Sequence, residues 1–148
     1  MIRTRTTGVI LAAVCAFVAS SVWYSPVLFG RHFLELSGVV SASKPIVSKV
    51  AGEMVRNLLL ASAILWILTR QKLTNLRSLL VFDMILWIGF PLTVLSGSVM
   101  WQNVPTELAL IHAGDWLIKI LIMTIILWVA TKNIAIQATP SDRRLRWN

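Results

Sequence analysis

The run from Leu108 to Thr131 is uncharged and mostly apolar except for three ionisable side chains, His112, Asp115 and Lys119, and these constrain the chain more than any other feature. On a helix turning 100° per residue, positions i, i+3 and i+7 share a stripe about 60° wide. The three groups therefore face one direction. Ile120 to Thr131 alone makes about 18 Å of helix at 1.5 Å per residue, and a hydrocarbon core is about 30 Å thick. The ionisable half is needed to complete a crossing, so the fold has to supply partners for charges inside a membrane.

Composition agrees with that reading. With 57% hydrophobic and 14% charged residues in a chain of 148, the sequence is too apolar for a soluble domain and long enough for a handful of spans. The formal charge of +8 comes mostly from basic residues flanking apolar runs, which is a topology signal and not a nucleic-acid footprint. A single cysteine, Cys15, excludes an internal disulfide and a cysteine-based metal cage. His32 and His112 are the only histidines, and there is no His-Glu-x-x-His, paired acidic motif or glycine-rich phosphate loop. No metal, cofactor or nucleophile constellation assembles, and we expect a protein that is not an enzyme.

The pattern predicts an all-α, integral membrane four-helix bundle forming one domain, with spans near 7–29, 46–69, 78–101 and 108–131 and a basic tail over 132–148. Thr6 to Gly30 reads either as the first span or as a signal peptide with Ala19 and Ser21 before its cleavage site. The apolar run continues through Val22, Trp23 and Tyr24, which favours the span. Leu11 to Cys15 resembles a lipoprotein box, but Val14 is bulky where a small residue is required, which argues against lipidation. Gly8, Ala12, Ala16 and Ser20 recur every four residues, the spacing that lets two helix backbones approach closely; Gly89, Thr93 and Gly97 repeat it in the third span.

The first span closes on Trp23-Tyr24-Ser25-Pro26-Val27-Leu28-Phe29-Gly30. The aromatic pair suits the headgroup level, Pro26 withdraws a backbone donor and Gly30 permits a sharp exit. These residues resemble the signature of an uncharacterised bacterial family of small four-span membrane proteins, a domain of unknown function with the motif Trp-Tyr-x-Pro-x-x-Phe-Gly carried here by Trp23, Tyr24, Pro26, Phe29 and Gly30. The similarity continues into Trp87-Ile88-Gly89-Phe90 and into Ala113-Gly114 followed by an aromatic. The resemblance implies four helices and a bacterial membrane with no agreed activity, and it gives His112, Asp115 and Lys119 no role.

Between the first two spans, Phe33, Leu34 and Leu36 beside Arg31 and Glu35 suit one or two helical turns on the membrane surface. Pro45 fits the first turn of the second span, whose opening half holds Glu53, Arg56 and Asn57. In the third span Asp83 is expected near the start, where the helix dipole favours a carboxylate. Pro91 is expected to kink that span and free a carbonyl near Trp87. Thr106 suits an N-cap for the fourth. Trp23, Trp66, Trp101 and Trp128 fall near span ends, as interfacial anchors do.

Four spans place Arg3, Arg5, Arg70, Lys72, Arg77, Lys132, Arg143, Arg144 and Arg146 on one side and Arg31, Lys44 and Lys49 on the other. The positive-inside rule then puts both termini in the cytoplasm of a bacterial inner membrane, with the basic tail on the anionic inner leaflet. Spans two and four both start from the outer side, so Glu53 and Arg56 share a depth with His112, Asp115 and Lys119. Two acids and two bases make a neutral cluster, with pairs Glu53–Arg56 and Asp115–Lys119 within helices and Arg56–Asp115 or Glu53–Lys119 between them. Trp116 beside them is expected to pack against apolar neighbours, with stacking on Arg56 as the alternative. The preferred reading is polar glue in a homo-oligomer or an accessory subunit of a larger membrane complex. The alternative is a small proton- or ion-coupled transporter or channel with an outward-facing polar cavity.

Overall fold

The computed structural model describes residues 2–38, 47–71, 73 and 75–137, and all regular structure among them is helical. Of the expected basic tail, 132–137 instead continue helix α6, while 138–148 with Arg143, Arg144 and Arg146, and the expectations for Lys44, Pro45 and Lys72, lie outside the described residues. Helix α1 spans Ile2–Trp23, α2 Gly30–Ser37, α3 Val47–Gln71 and α4 Leu76–Trp87. A π-helical turn, Ile88–Leu92, joins α4 to α5, Thr93–Gln102, and α6 runs over Thr106–Gln137. Four stretches are long and apolar enough to cross a membrane: Arg5–Trp23, Val47–Gln71, Leu76–Gln102 and Thr106–Lys132. The chain is a four-span helical bundle.

Helix α6 is the axis of the bundle. Its spanning stretch is 44% buried against 17–28% for the others, because α1, α3, α4 and α5 all pack on it. Ala12 and Ala16 of α1 are fully buried and Ser20 nearly so, while a Cβ on Gly8 would meet the Ala130 Cβ at 3.3 Å. Small side chains therefore let α1 lie close against α6. Ala61, Ile64 and Leu68 of α3, Leu79 of α4, and Met123 and Leu127 of α6 complete the core. Gly89, Thr93 and Gly97 behave differently. Gly89 and Thr93 are exposed, and a Cβ on either glycine would meet nothing within 4 Å, so this repeat packs no helix of the described chain.

Local departures from expectation have local causes. Helix α1 ends at Trp23 rather than near residue 29, because Pro26 cannot donate and the chain turns: Phe29 N–H bonds Trp23 O at 3.1 Å and Gly30 N–H bonds Ser25 O at 2.9 Å. The short helix α2 then lies against α6. At Pro91 the third span takes up a π turn, and the Thr93 hydroxyl donates to the Ile88 carbonyl at 2.9 Å. Asn75 caps α4, its side-chain oxygen accepting from Ser78 N–H at 2.8 Å. Asp83 is consequently about two turns, or 10 Å, inside the helix and beyond the reach of the terminal dipole. The dipole account of Asp83 is therefore set aside. Thr106 is the first residue of α6 itself and not its N-cap.

Candidate functional site

Three helices meet at the ionic residues. Helix α3 brings Glu53 and Arg56 on one face, three residues apart; α6 brings His112, Asp115 and Lys119 on another; α1 brings Ser20 opposite Asp115. Lys119 Nζ donates to Glu53 Oε1 at 2.7 Å and lies 3.1 Å from Asp115 Oδ2. Arg56 Nη1 donates to the other Glu53 oxygen at 2.7 Å. The Ser20 hydroxyl donates to Asp115 Oδ1. Each carboxylate thus uses both oxygens, and a continuous chain Arg56, Glu53, Lys119, Asp115, Ser20 ties α3 to α6 to α1.

Exposure separates the members. Asp115 and Lys119 are 5% and 4% exposed, whereas the Arg56 side chain is 60% exposed. The expected pairs Glu53–Arg56, Asp115–Lys119 and Glu53–Lys119 are present, and the Arg56–Asp115 pair is not among the ion pairs of the described residues. The Arg56 guanidinium and the Lys119 ammonium lie 5.7 and 5.8 Å from the Trp116 ring centre, so Trp116 serves both cations instead of only packing against apolar groups.

His112 stands beside the chain of charges and is held by a different neighbour. Its Nδ1 shares a 2.7 Å hydrogen bond with the Tyr24 hydroxyl, and Phe33 of α2 packs edge-on against both rings. Burial, and then the negative charges of Asp115 and Glu53, push the Tyr24 hydroxyl above the ordinary phenol range. His32 of α2 lies 3.2 Å from Glu107 at the start of α6 and 3.6 Å from Glu35, which tethers α2 over this end of the bundle. A pocket of about 430 Å³ opens here, floored by the ionic chain and walled by Phe17, Tyr24, Phe33 and Trp116.

The residues after α1 do more than end it. Trp23 Nε1 donates to the Ile111 carbonyl at 3.0 Å, its ring stacks on Phe29 at 4.4 Å, and a Cβ on Gly114 would come within 2.6 Å of that ring. Gly30 is required by contact: a Cβ there would collide with the Tyr24 carbonyl oxygen. Trp87 Nε1 of α4 reaches α6 as well, donating to the Ala113 carbonyl at 2.8 Å. Two tryptophans and one tyrosine therefore grip three consecutive residues, Ile111 to Ala113, one turn before Asp115. Sequence reasoning placed Trp23 and Tyr24 at the headgroups and Ser20 in a packing stripe. The available signal was the coincidence of small residues and indole donors with an ionisable stretch elsewhere.

Among the described residues, no group of three or more His, Cys, Asp and Glu side chains is arranged to hold a metal ion. A family model described as a protein of unknown function (DUF1761) matches residues 7–128. No curated protein and no solved structure matches the chain.

Proposed function

We propose, for a chain that belongs to the DUF1761 family of proteins of unknown function, a non-enzymatic role as a homo-oligomer or an accessory subunit of a larger complex in the bacterial cytoplasmic membrane. The bacterial assignment rests on the Trp-Tyr-x-Pro-x-x-Phe-Gly signature, and cytoplasmic termini on the basic residues at 3, 5, 70, 72, 77 and 132 and in the tail. In this reading Glu53, Arg56, Asp115 and Lys119 are an interhelical clasp and His112 a bystander held by Tyr24. One observation carries it: Glu53 bridges Lys119 and Arg56 at 2.7 Å each while Lys119 also holds Asp115, so two acids and two bases neutralise one another between α3 and α6. The uncovered Gly89, Thr93 and Gly97 face supports contact with a helix of another chain.

The test is native mass spectrometry of the particle released from its own membrane in mild detergent, for wild type and for Gly89→Leu with Gly97→Leu. A homo-oligomer or a stoichiometric complex is expected from wild type, and dissociation to the folded single chain from the double variant. A lone wild-type chain would sink the reading.

The pocket of about 430 Å³ favours a second reading, in which a small solute or a proton reaches the ionic chain from outside. Glu53→Gln and Asp115→Asn chains reconstituted in liposomes are then expected to lose a flux that wild type shows while remaining folded. Equal fluxes in wild type, variants and empty liposomes would exclude it.

A further inference from the structure

Asp83 has no part in the clasp, and unlike Asp115 it has no cation beside it among the described residues. It is fully buried in the third span. Asp115 faces the Lys119 ammonium and the Ser20 hydroxyl, whereas the hydrogen-bonding contact of Asp83 is with Thr124 of α6, whose Oγ1 lies 2.8 Å from Oδ2. Its other oxygen, Oδ1, has no partner among the described residues.

Asp83 makes no ion pair with any cation among the described residues. On α6, Lys119 holds Glu53 and Asp115, and Lys132 lies over the Trp128 ring. On α3, Arg56 holds Glu53, and Arg70 lies over the Trp66 ring. On α6, His112 shares its hydrogen bond with Tyr24, and Arg77 on α4 itself makes no ion pair with Asp83 among those of the described residues. A carboxylate taken out of water without a counter-charge is strongly disfavoured.

Hydrogen counting at Thr124 gives an independent argument. Its oxygen lies 2.9 Å from the Ile120 carbonyl and 3.1 Å from the Leu121 carbonyl, in addition to Asp83. A hydroxyl carries one hydrogen and two lone pairs. If that hydrogen serves a carbonyl of its own helix, the close approach of Oδ2 has to be made by a hydrogen on the carboxyl. The neutral acid accounts for the contacts if the carbonyls share one hydrogen: Asp83 Oδ2–H donates to Thr124 Oγ1, Thr124 donates to Ile120 O with Leu121 O sharing that hydrogen, and Oδ1 becomes the carbonyl oxygen, which is the cheaper one to leave without a partner.

We propose that Asp83 is a membrane-embedded proton-binding site, a carboxylic acid that keeps its hydrogen at neutral pH by donating it to Thr124. The site stands apart from the clasp and does not depend on the role given to it.

Infrared spectroscopy of the full chain in lipid at neutral pH tests this directly. With aspartate carbon-13 labelled at its side-chain carboxyl, wild type is expected to show a label-sensitive carboxylic C=O band that is absent in Asp83→Asn and retained in Asp115→Asn. The thermal midpoint of Asp83→Asn should stay close to that of wild type, because an amide replaces a neutral acid of the same shape and still donates to Thr124. The label falls on three aspartates only, Asp83, Asp115 and Asp142. Absence of the band from labelled wild type therefore overturns the proposal even if a variant fails to fold. Persistence of the band in Asp83→Asn overturns it too. Should Asp83→Asn not fold, a band that moves in Thr124→Val supports the assignment, and one that does not move refutes it.

Discussion

Replacing Lys119 by methionine probes the clasp at its centre. The side chain keeps its length and loses its charge, at a position only 6% exposed. Glu53 retains Arg56 at 2.7 Å, but Asp115, with 7% of its side chain exposed, is left with the Ser20 hydroxyl and no cation. Removing one partner from a buried ion pair typically destabilises by about 3–5 kcal/mol. Arg56→Met is the comparison: its side chain is 60% exposed and Glu53 keeps Lys119, so a loss of about 1 kcal/mol or less is expected. In Lys119→Met with Asp115→Asn the orphaned charge is gone, and the double variant should recover about 0.5–3 kcal/mol relative to additivity. Equilibrium unfolding in mixed micelles, followed by the fluorescence of the seven tryptophans, measures wild type, the three single variants Lys119→Met, Asp115→Asn and Arg56→Met, and the double variant. If Lys119→Met were no less stable than Arg56→Met, or if the double variant were simply additive, the charges would not act as one clasp.

Tyr24 is the only tyrosine, so its ionisation is read without ambiguity from the phenolate absorbance. Because its pKa is raised in the fold, the folded chain holds that proton more tightly than the unfolded chain. Stability should be unaffected below the ordinary phenol value of about 10 and decline as the pH rises above it; native-state ionisation at the ordinary value would refute the burial. At Gly114, alanine drives a Cβ to 2.6 Å from a Trp23 ring already fixed on the Ile111 carbonyl and Phe29. A loss of about 1–3 kcal/mol is expected from overpacking. Gly52→Ala, whose Cβ meets nothing within 4 Å, should be neutral or gain up to about 1 kcal/mol of helix propensity. Unfolding midpoints of the two variants decide between these outcomes.

Helix periodicity made the ionic chain legible because it is set by spacing. Asp115 and Lys119 at i, i+4 and Glu53 and Arg56 at i, i+3 had to share faces once the segments were helical. The meeting of Glu53 with Lys119 followed from equal depth in two spans that start at the same end. What periodicity does not carry is the azimuth of one helix about another. Ser20 therefore looked like one more small residue in a stripe, although the same stripe that packs α1 on α6 brings its hydroxyl to Asp115. Spacing is equally silent on the tertiary bonds of the indoles. Trp23 and Trp128 at span ends read as interfacial, and only the tertiary path shows that Trp23 also bonds the Ile111 carbonyl and Trp128 the Leu73 carbonyl, while Trp87 bonds the Ala113 carbonyl. Asp83 lies too deep for the dipole because α4 starts at Leu76 and the dipole acts only over its first turn.

The arrangement of pairs bears on how such a chain enters a membrane. A charge at the bilayer centre is unfavourable by about 2.5–3.5 kcal/mol on insertion scales. Glu53 with Arg56, and Asp115 with Lys119, are each neutral within one helix, so neither span has to wait for the other before crossing. The contact from Lys119 to Glu53 is then an interaction added when α3 and α6 meet, and its geometry fixes their axial register, since a slip of one turn, about 5.4 Å, would separate Nζ from Oε1 beyond any hydrogen bond. Lipid provides no such register, because tails solvate an apolar helix face equally well at every height. Small residues bring α1 close to α6, while the polar bonds from Ser20, Trp23 and Tyr24 set the height at which it stops. The clasp thus specifies one packing among several that hydrophobicity alone would leave nearly equal.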